Sequence, residues 1–194
     1  DGQTEADLPE ALTHWLAQRP DAEVVMQVGM FRREKGHHIV LEAIAQLLAT
    51  RPNVVYVMAG GGKSDTLSAH IERLGLQDKV WMGELRAIAP ALRQADVMVM
   101  PSLLEPLGMV QIEALGLAVP VIVSNVGGIP ETVTHQQTGL IVDDMSPEAW
   151  AHAIDYALSH PDTMRVWARA GQTQVRQQFS PEHTTKRLLQ LLNA

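Results

Sequence analysis

DVMVMPSLLEPLGMVQIE, running from Asp96 to Glu113, is the stretch on which the reading of this chain turns. Its first part, Asp96 to Ser102, is a continuous apolar run, which is how a strand covered on both faces reads. Beyond Ser102 the character changes at once. Pro106 fixes φ and Gly108 permits a tight approach, so the segment predicts a loop that opens a helix from Gly108 to about Leu117. Two carboxylates, Glu105 and Glu113, bracket the turn. Glu105 falls in the loop and Glu113 inside the helix, so their separation need not obey helical angles and both can point into one cleft.

Outward from this unit the same alternation repeats. EVVMQVGMF (23–31), NVVYVMAG (53–60), DKVWMGEL (78–85), VPVIVSN (119–125) and TGLIVD (138–143) read as further strands. Between them lie amphipathic segments such as HHIVLEAIAQLLATR (37–51), whose apolar residues recur at three and four, and the short RAIAPALRQA, which Pro90 is expected to interrupt. Ser146, Pro147 and Glu148 together signal a helix start. About six strands separated by helices predict an α/β fold: a doubly wound, Rossmann-like parallel sheet with helices on both faces. Residues 1–22 read as a lead-in with a helix near Ala11 to Gln18, 23–180 as the domain, and 181–194 as a C-terminal helix opened by Ser180-Pro181-Glu182.

Composition narrows the chemistry. The chain has 194 residues, 46% of them hydrophobic, a net charge of -7 and no cysteine. Such an acidic balance argues against nucleic acid as a partner, and the missing cysteine removes disulfides, thiolate metal sites and a thiol nucleophile together. No run approaches the roughly 18 to 20 apolar residues of a membrane span, and the acidic start DGQTEADLPE does not read as a signal peptide, so a cytoplasmic location is expected.

In a doubly wound sheet, ligands sit at the carboxyl ends of strands, where helix N-termini present free amides. Those of Gly108, Met109 and Val110 can face an anion or a hydroxyl there. Ionised carboxylates accept from pairs of hydroxyls, each charge-assisted bond contributing about 1.5 to 3 kcal/mol. Arg32, Arg33 and Lys35, just past the first strand, offer the charge that phosphates need. Acid for hydroxyls and base for phosphates together describe a nucleotide sugar; a surface charge at Glu113 and a solvated turn at 32–35 are the simpler alternative.

Other motifs carry less. GGGKSD (60–65) lacks the glycine that a P-loop would need at Val57 and reads as a tight strand-to-helix turn. His37 and His38 have no metal-ligand spacing and read as a solvated helix start. Met26, Met58, Met82, Met98 and Met100 read as core filler, with Met82 also placed to line a base site. Ser102 and Ser124 lack the G-x-S-x-G elbow, and Gly127-Gly128 suit a close backbone approach to the cleft.

One ordered set of motifs resembles the C-terminal, donor-binding half of a GT-B glycosyltransferase of the retaining GT4 family. It comprises Gly29 with Lys35-Gly36, Glu105-Pro106-Leu107-Gly108 with Glu113, the following Ala114-Leu115-Gly116, Gly127-Gly128-Ile129-Pro130-Glu131, and Thr138-Gly139-Leu140. The resemblance implies that Glu105 holds hydroxyls of the donor sugar, Glu113 the ribose hydroxyls and Lys35 the diphosphate. It implies further that no metal or other cofactor is needed, in keeping with the absence of D-x-D. The implied partners are a nucleotide-sugar donor, an N-terminal acceptor-binding domain and a glycan or lipid-linked acceptor, with peripheral membrane attachment of the full-length protein left open.

Two positions depart from the family. Met30 stands where a second diphosphate cation is common, leaving Arg32 or Arg33 as substitutes, and Leu107 replaces a frequent aromatic residue. A non-catalytic nucleotide-binding or scaffold domain, or a sugar-nucleotide epimerase, stays open as an alternative.

Overall fold

The structure is a computed structural model that describes residues 8–179. Among these residues, six strands form one parallel sheet: β1 (Glu23–Val28), β2 (Val54–Ala59), β3 (Val80–Gly83), β4 (Val97–Met100), β5 (Val121–Ser124) and β6 (Leu140–Val142), in the order β3-β2-β1-β4-β5-β6. This is the doubly wound, Rossmann-like arrangement expected from the alternating pattern. Strands β2, β4 and β5 are buried along their whole length, which is why they read as unbroken apolar runs rather than alternating ones.

Seven helices among the described residues cover the sheet: α1 (Glu10–Ala17), α2 (His37–Leu47), α3 (Asp65–Arg73), α4 (Ala89–Leu92), α5 (Val110–Gly116), α6 (Pro147–Ser159) and α7 (Pro161–Gln178). The core divides between the two faces. Val25, Tyr56, Val99 and Ile122 meet α2 and α6 around the buried Trp150 on one face, while Met26, Val57, Met98 and Val121 meet Ile112, Leu115 and Val175 on the other. Met26, Met58, Met98 and Met100 are core residues, and Met82 is partly buried against the first cluster.

The element boundaries follow local chemistry. Ser146 caps α6 by accepting from the Ala149 amide at 3.3 Å, with Pro147 as the first helical residue. The helix at α5 starts at Val110 rather than Gly108, because Gly108 holds a left-handed φ of 77°. Pro90 does not interrupt a helix: it lies in the first turn of α4, where its missing N–H removes no intrahelical bond. The helix near Ala11 forms as α1, and its Leu12 is fully buried in the core although the segment reads as a lead-in. The C-terminal helix expected over 181–194 lies outside the described residues.

Leu12 therefore provides a test of whether α1 belongs to the folding unit. Leu12→Ala is expected to lower stability by roughly 2 to 5 kcal/mol in urea denaturation, the range for a buried leucine. A loss within experimental error would show α1 to be an appendage.

Candidate functional site

Strands β1 and β4 are neighbours, yet the chain leaves β1 toward α2 on one face and β4 toward α5 on the other. A crevice opens where such connections diverge. Here it is a cavity of about 210 Å³ lined by Gln27, Gly29, Met30, Lys35, Ser102, Glu105, Gly108, Met109 and Val110, among others.

Lys35 closes a short 3-10 turn, Arg33–Lys35, and its Nζ lies 2.5 Å from Glu105 Oε2. Glu105 is buried, at 8% exposure, and Lys35 is its charge partner there. The lysine backbone is anchored as well. Gln27 Nε2 donates to the Lys35 carbonyl at 2.7 Å, and Gln27 Oε1 accepts from the Tyr56 hydroxyl. Register explains the second bond: Val25 pairs with Tyr56, and Gln27 stands two residues further along the same face. Burial drives the Tyr56 phenol well above its ordinary pKa, so it remains a donor.

Backbone packing fixes the Glu105 loop. Gly127, at φ 53°, lies so close that a Cβ there would sit 1.8 Å from the Glu105 carbonyl oxygen, and the Gly128 amide donates to the Pro106 carbonyl at 2.9 Å. The close approach expected of Gly127-Gly128 is thus made to the loop that carries Glu105. On the other side, Leu103 N donates to Glu34 O at 2.7 Å, tying the loop after β4 to the 3-10 turn of Lys35. Ser124 Oγ donates to the Ser102 carbonyl at 2.7 Å, which occupies the Ser124 hydroxyl structurally, while Ser102 lines the crevice.

Of the residues singled out from sequence, Gly29, Lys35, Glu105, Gly108, Met109 and Val110 come together at this cavity. Arg32 and Arg33 do not: they line a separate cavity behind the 29–36 loop. Leu107 packs partly buried against the core, and Met82 sits on β3, two strands away from β1. Glu113 lies on the exposed face of α5, with partial burial raising its pKa. Met30 is 45% exposed at the rim.

His37 differs from the solvated helix start read from sequence. Its ring is 1% exposed, meets Phe31 edge-on, and has Nε2 3.2 Å from the Met30 carbonyl, an arrangement in which Nε2–H donates. Burial lowers its pKa to about 4. Gln27, Tyr56 and His37 are the residues that sequence reasoning missed. The available signal was Gln27 itself, a polar side chain inside an otherwise apolar strand, which obliges a buried partner.

A family model described as "Glycosyl transferases group 1" matches residues 15–174. The chain belongs to this glycosyltransferase family. It is 36% identical over 160 residues to the D-inositol 3-phosphate glycosyltransferase of Segniliparus rotundus, covering 78% of this chain and 36% of that protein. It is 32% identical over 184 residues to the alpha-maltose-1-phosphate synthase of Mycolicibacterium smegmatis, covering 87% of this chain and 47% of that protein. The chain therefore spans less than half the length of these two relatives.

Among solved structures, Anabaena HepE in complex with UDP-glucose superposes with a TM-score of 0.83 at 25% identity, over 94% of this chain and 52% of that one. Sucrose-phosphate synthase from Thermosynechococcus elongatus superposes at 0.82 with 30% identity, over 96% and 49%. The six-stranded domain is accordingly one Rossmann-like half of the GT-B architecture.

Two measurements probe this construction. Gly127→Ala is expected to cost roughly 2 kcal/mol or more, whereas Gly116→Ala, in a helix with nothing within 4 Å of the added Cβ, is expected to be neutral or slightly stabilising. Equal effects would remove the close-approach argument. For His37 the folded pKa lies below the unfolded value, so the unfolded chain binds more protons between them. Stability contributed by the neutral ring is complete above about pH 6.5 and declines toward pH 4, by about 3 kcal/mol in all. His37→Gln should flatten that segment of the urea-denaturation profile, and an unchanged slope would contradict the assignment.

Proposed function

We propose that this chain is the donor-binding half of a GT4-type retaining glycosyltransferase, holding a nucleoside diphosphate hexose for transfer to an acceptor bound by an N-terminal domain. The observation that carries the reading is the Lys35–Glu105 pair, 2.5 Å apart, over a cavity at the crossover of β1 and β4. A cation and a carboxylate side by side suit a ligand whose phosphates adjoin a hydroxyl-rich ring. The UDP-glucose bound by HepE makes a uridine nucleotide and a hexose the first donor to test.

In this reading Lys35 faces the diphosphate and stabilises the negative charge that grows on it as its bond to the anomeric carbon breaks. Glu105 accepts from hydroxyls of the departing sugar, and Glu113 from the ribose diol. The backbone at Gly108 to Val110 lies along the same ligand. In this reading the cation at the phosphates is a side chain rather than a metal. The acceptor is a glycan or lipid-linked glycan, met in the cytoplasm or at a membrane surface. Relatives more than twice as long support a separate acceptor half. The chain alone then binds donor and transfers no sugar.

Calorimetric titration with UDP, GDP and ADP tests this. One diphosphate is expected to bind selectively, with Lys35→Ala and Glu113→Ala each weakening it by about tenfold or more. Absence of binding to all three, or affinity unchanged in both variants, would sink the donor-site reading, and sugar transfer by the chain alone would remove the division of labour.

A further inference from the structure

The cavity behind the 29–36 loop has a volume of about 400 Å³ and shares no lining residue with the Lys35–Glu105 crevice. It lies where the starts of α2 and α3 meet. His37 and His38 are the first two residues of α2, and Thr66 and Leu67 belong to the first turn of α3. The two helices, of 11 and 9 residues, both start without a side-chain cap.

The charged side chains of the lining, Arg32 and Arg33, are both cationic and stand beside the imidazoles of His38 and His70. Arg32, Arg33, His38 and His70 surround the space, and no carboxylate among the described residues lines it. Acids flank the cavity without lining it, among them Asp65, the first residue of α3. Glu34 is 3.8 Å from Arg32, and Glu42 is 3.2 Å from His70 and 3.7 Å from Arg73, leaving Arg33 without a carboxylate partner among the described residues. Burial first and Arg33 next lower the pKa of His38, with Glu42 opposing. In a chain of net charge -7, two adjacent arginines beside two uncapped helix starts are a local exception.

Two further features define what would fit. Phe31 and Leu67 give the cavity an apolar wall. The buried His37 ring also lines it, and its Nδ1 has no hydrogen-bond partner among the described residues. With Nε2–H directed at Met30, that Nδ1 is an acceptor, which a ligand hydroxyl or a protonated phosphate oxygen would satisfy.

We propose that this cavity is a second anion site, separate from the donor crevice, that takes a phosphomonoester bearing a small apolar group. The phosphate lies against Arg33 and the two helix starts, and the apolar group against Phe31 and Leu67. Arg32 and Arg33 thereby serve this site and not the diphosphate of the donor.

Phenyl phosphate and inorganic phosphate are the probes, titrated calorimetrically into the chain, Thr66→Glu and Lys35→Ala. Glutamate in the first turn suits a helix N-terminus, so Thr66→Glu keeps the fold while placing an anion at the cavity. Phenyl phosphate is expected to saturate one site and to bind more tightly than inorganic phosphate. Thr66→Glu should weaken it about tenfold or more, while Lys35→Ala leaves it within about twofold. Loss in Lys35→Ala with retention in Thr66→Glu would assign the anion to the donor crevice and overturn the proposal. So would failure of either probe to saturate, and equal affinity for the two probes would overturn the apolar part of the assignment.

Discussion

Main chain resting on main chain holds the ligand-bearing end of this domain together. A Cβ at Gly36 would sit 1.9 Å from the Pro101 carbonyl oxygen, and one at Gly60 the same distance from that of Gly29, as Gly127 stands against Glu105. Through these approaches the loops after β1, β2, β4 and β5 support one another without side chains between them. Lys35 and Glu105, 70 residues apart in sequence, can be held in contact because the strands that deliver them are adjacent and their loops have no freedom to spread. Precision of this kind is what a binding site on loops otherwise lacks.

Much of this is legible in the sequence, and the reasons are specific. The runs around Val24, Val55, Val97 and Val121 read as strands because a parallel sheet covered on both faces leaves no polar alternation to confuse the pattern. Ser146-Pro147-Glu148 marks a helix start because each residue satisfies a different requirement of a first turn. Glu105 and Lys35 can be paired in kind, by matching acid and base to one ligand, without any distance being known.

What is not legible depends on direction. Arg32, Arg33 and Lys35 are nearly consecutive and look equivalent, yet a 3-10 turn sends Lys35 to one side of the loop and the arginines to the other. Composition cannot report the facing of three residues in a tight turn. His37 misleads because a histidine at a helix start is ordinarily wet. Here the helix begins beneath the loop after β1, and the ring is enclosed by the Met30 carbonyl and Phe31. Leu12 is easily undervalued: Leu8, Leu12, Trp15 and Leu16 recur at helical spacing and predict the helix, but that period does not report that the sheet face needs it as a cover.

The Lys35–Glu105 contact has one more implication under the proposed function. In the free protein, each group is the other's partner. A ligand that brings only an anion draws Lys35 away and strands a carboxylate at 8% exposure, while one that brings only hydroxyls must compete with an ammonium already in place. A molecule carrying both meets each member of the broken pair with a replacement. The contact then acts as a coincidence detector, rejecting the separate halves of a donor and admitting them only when they are covalently joined.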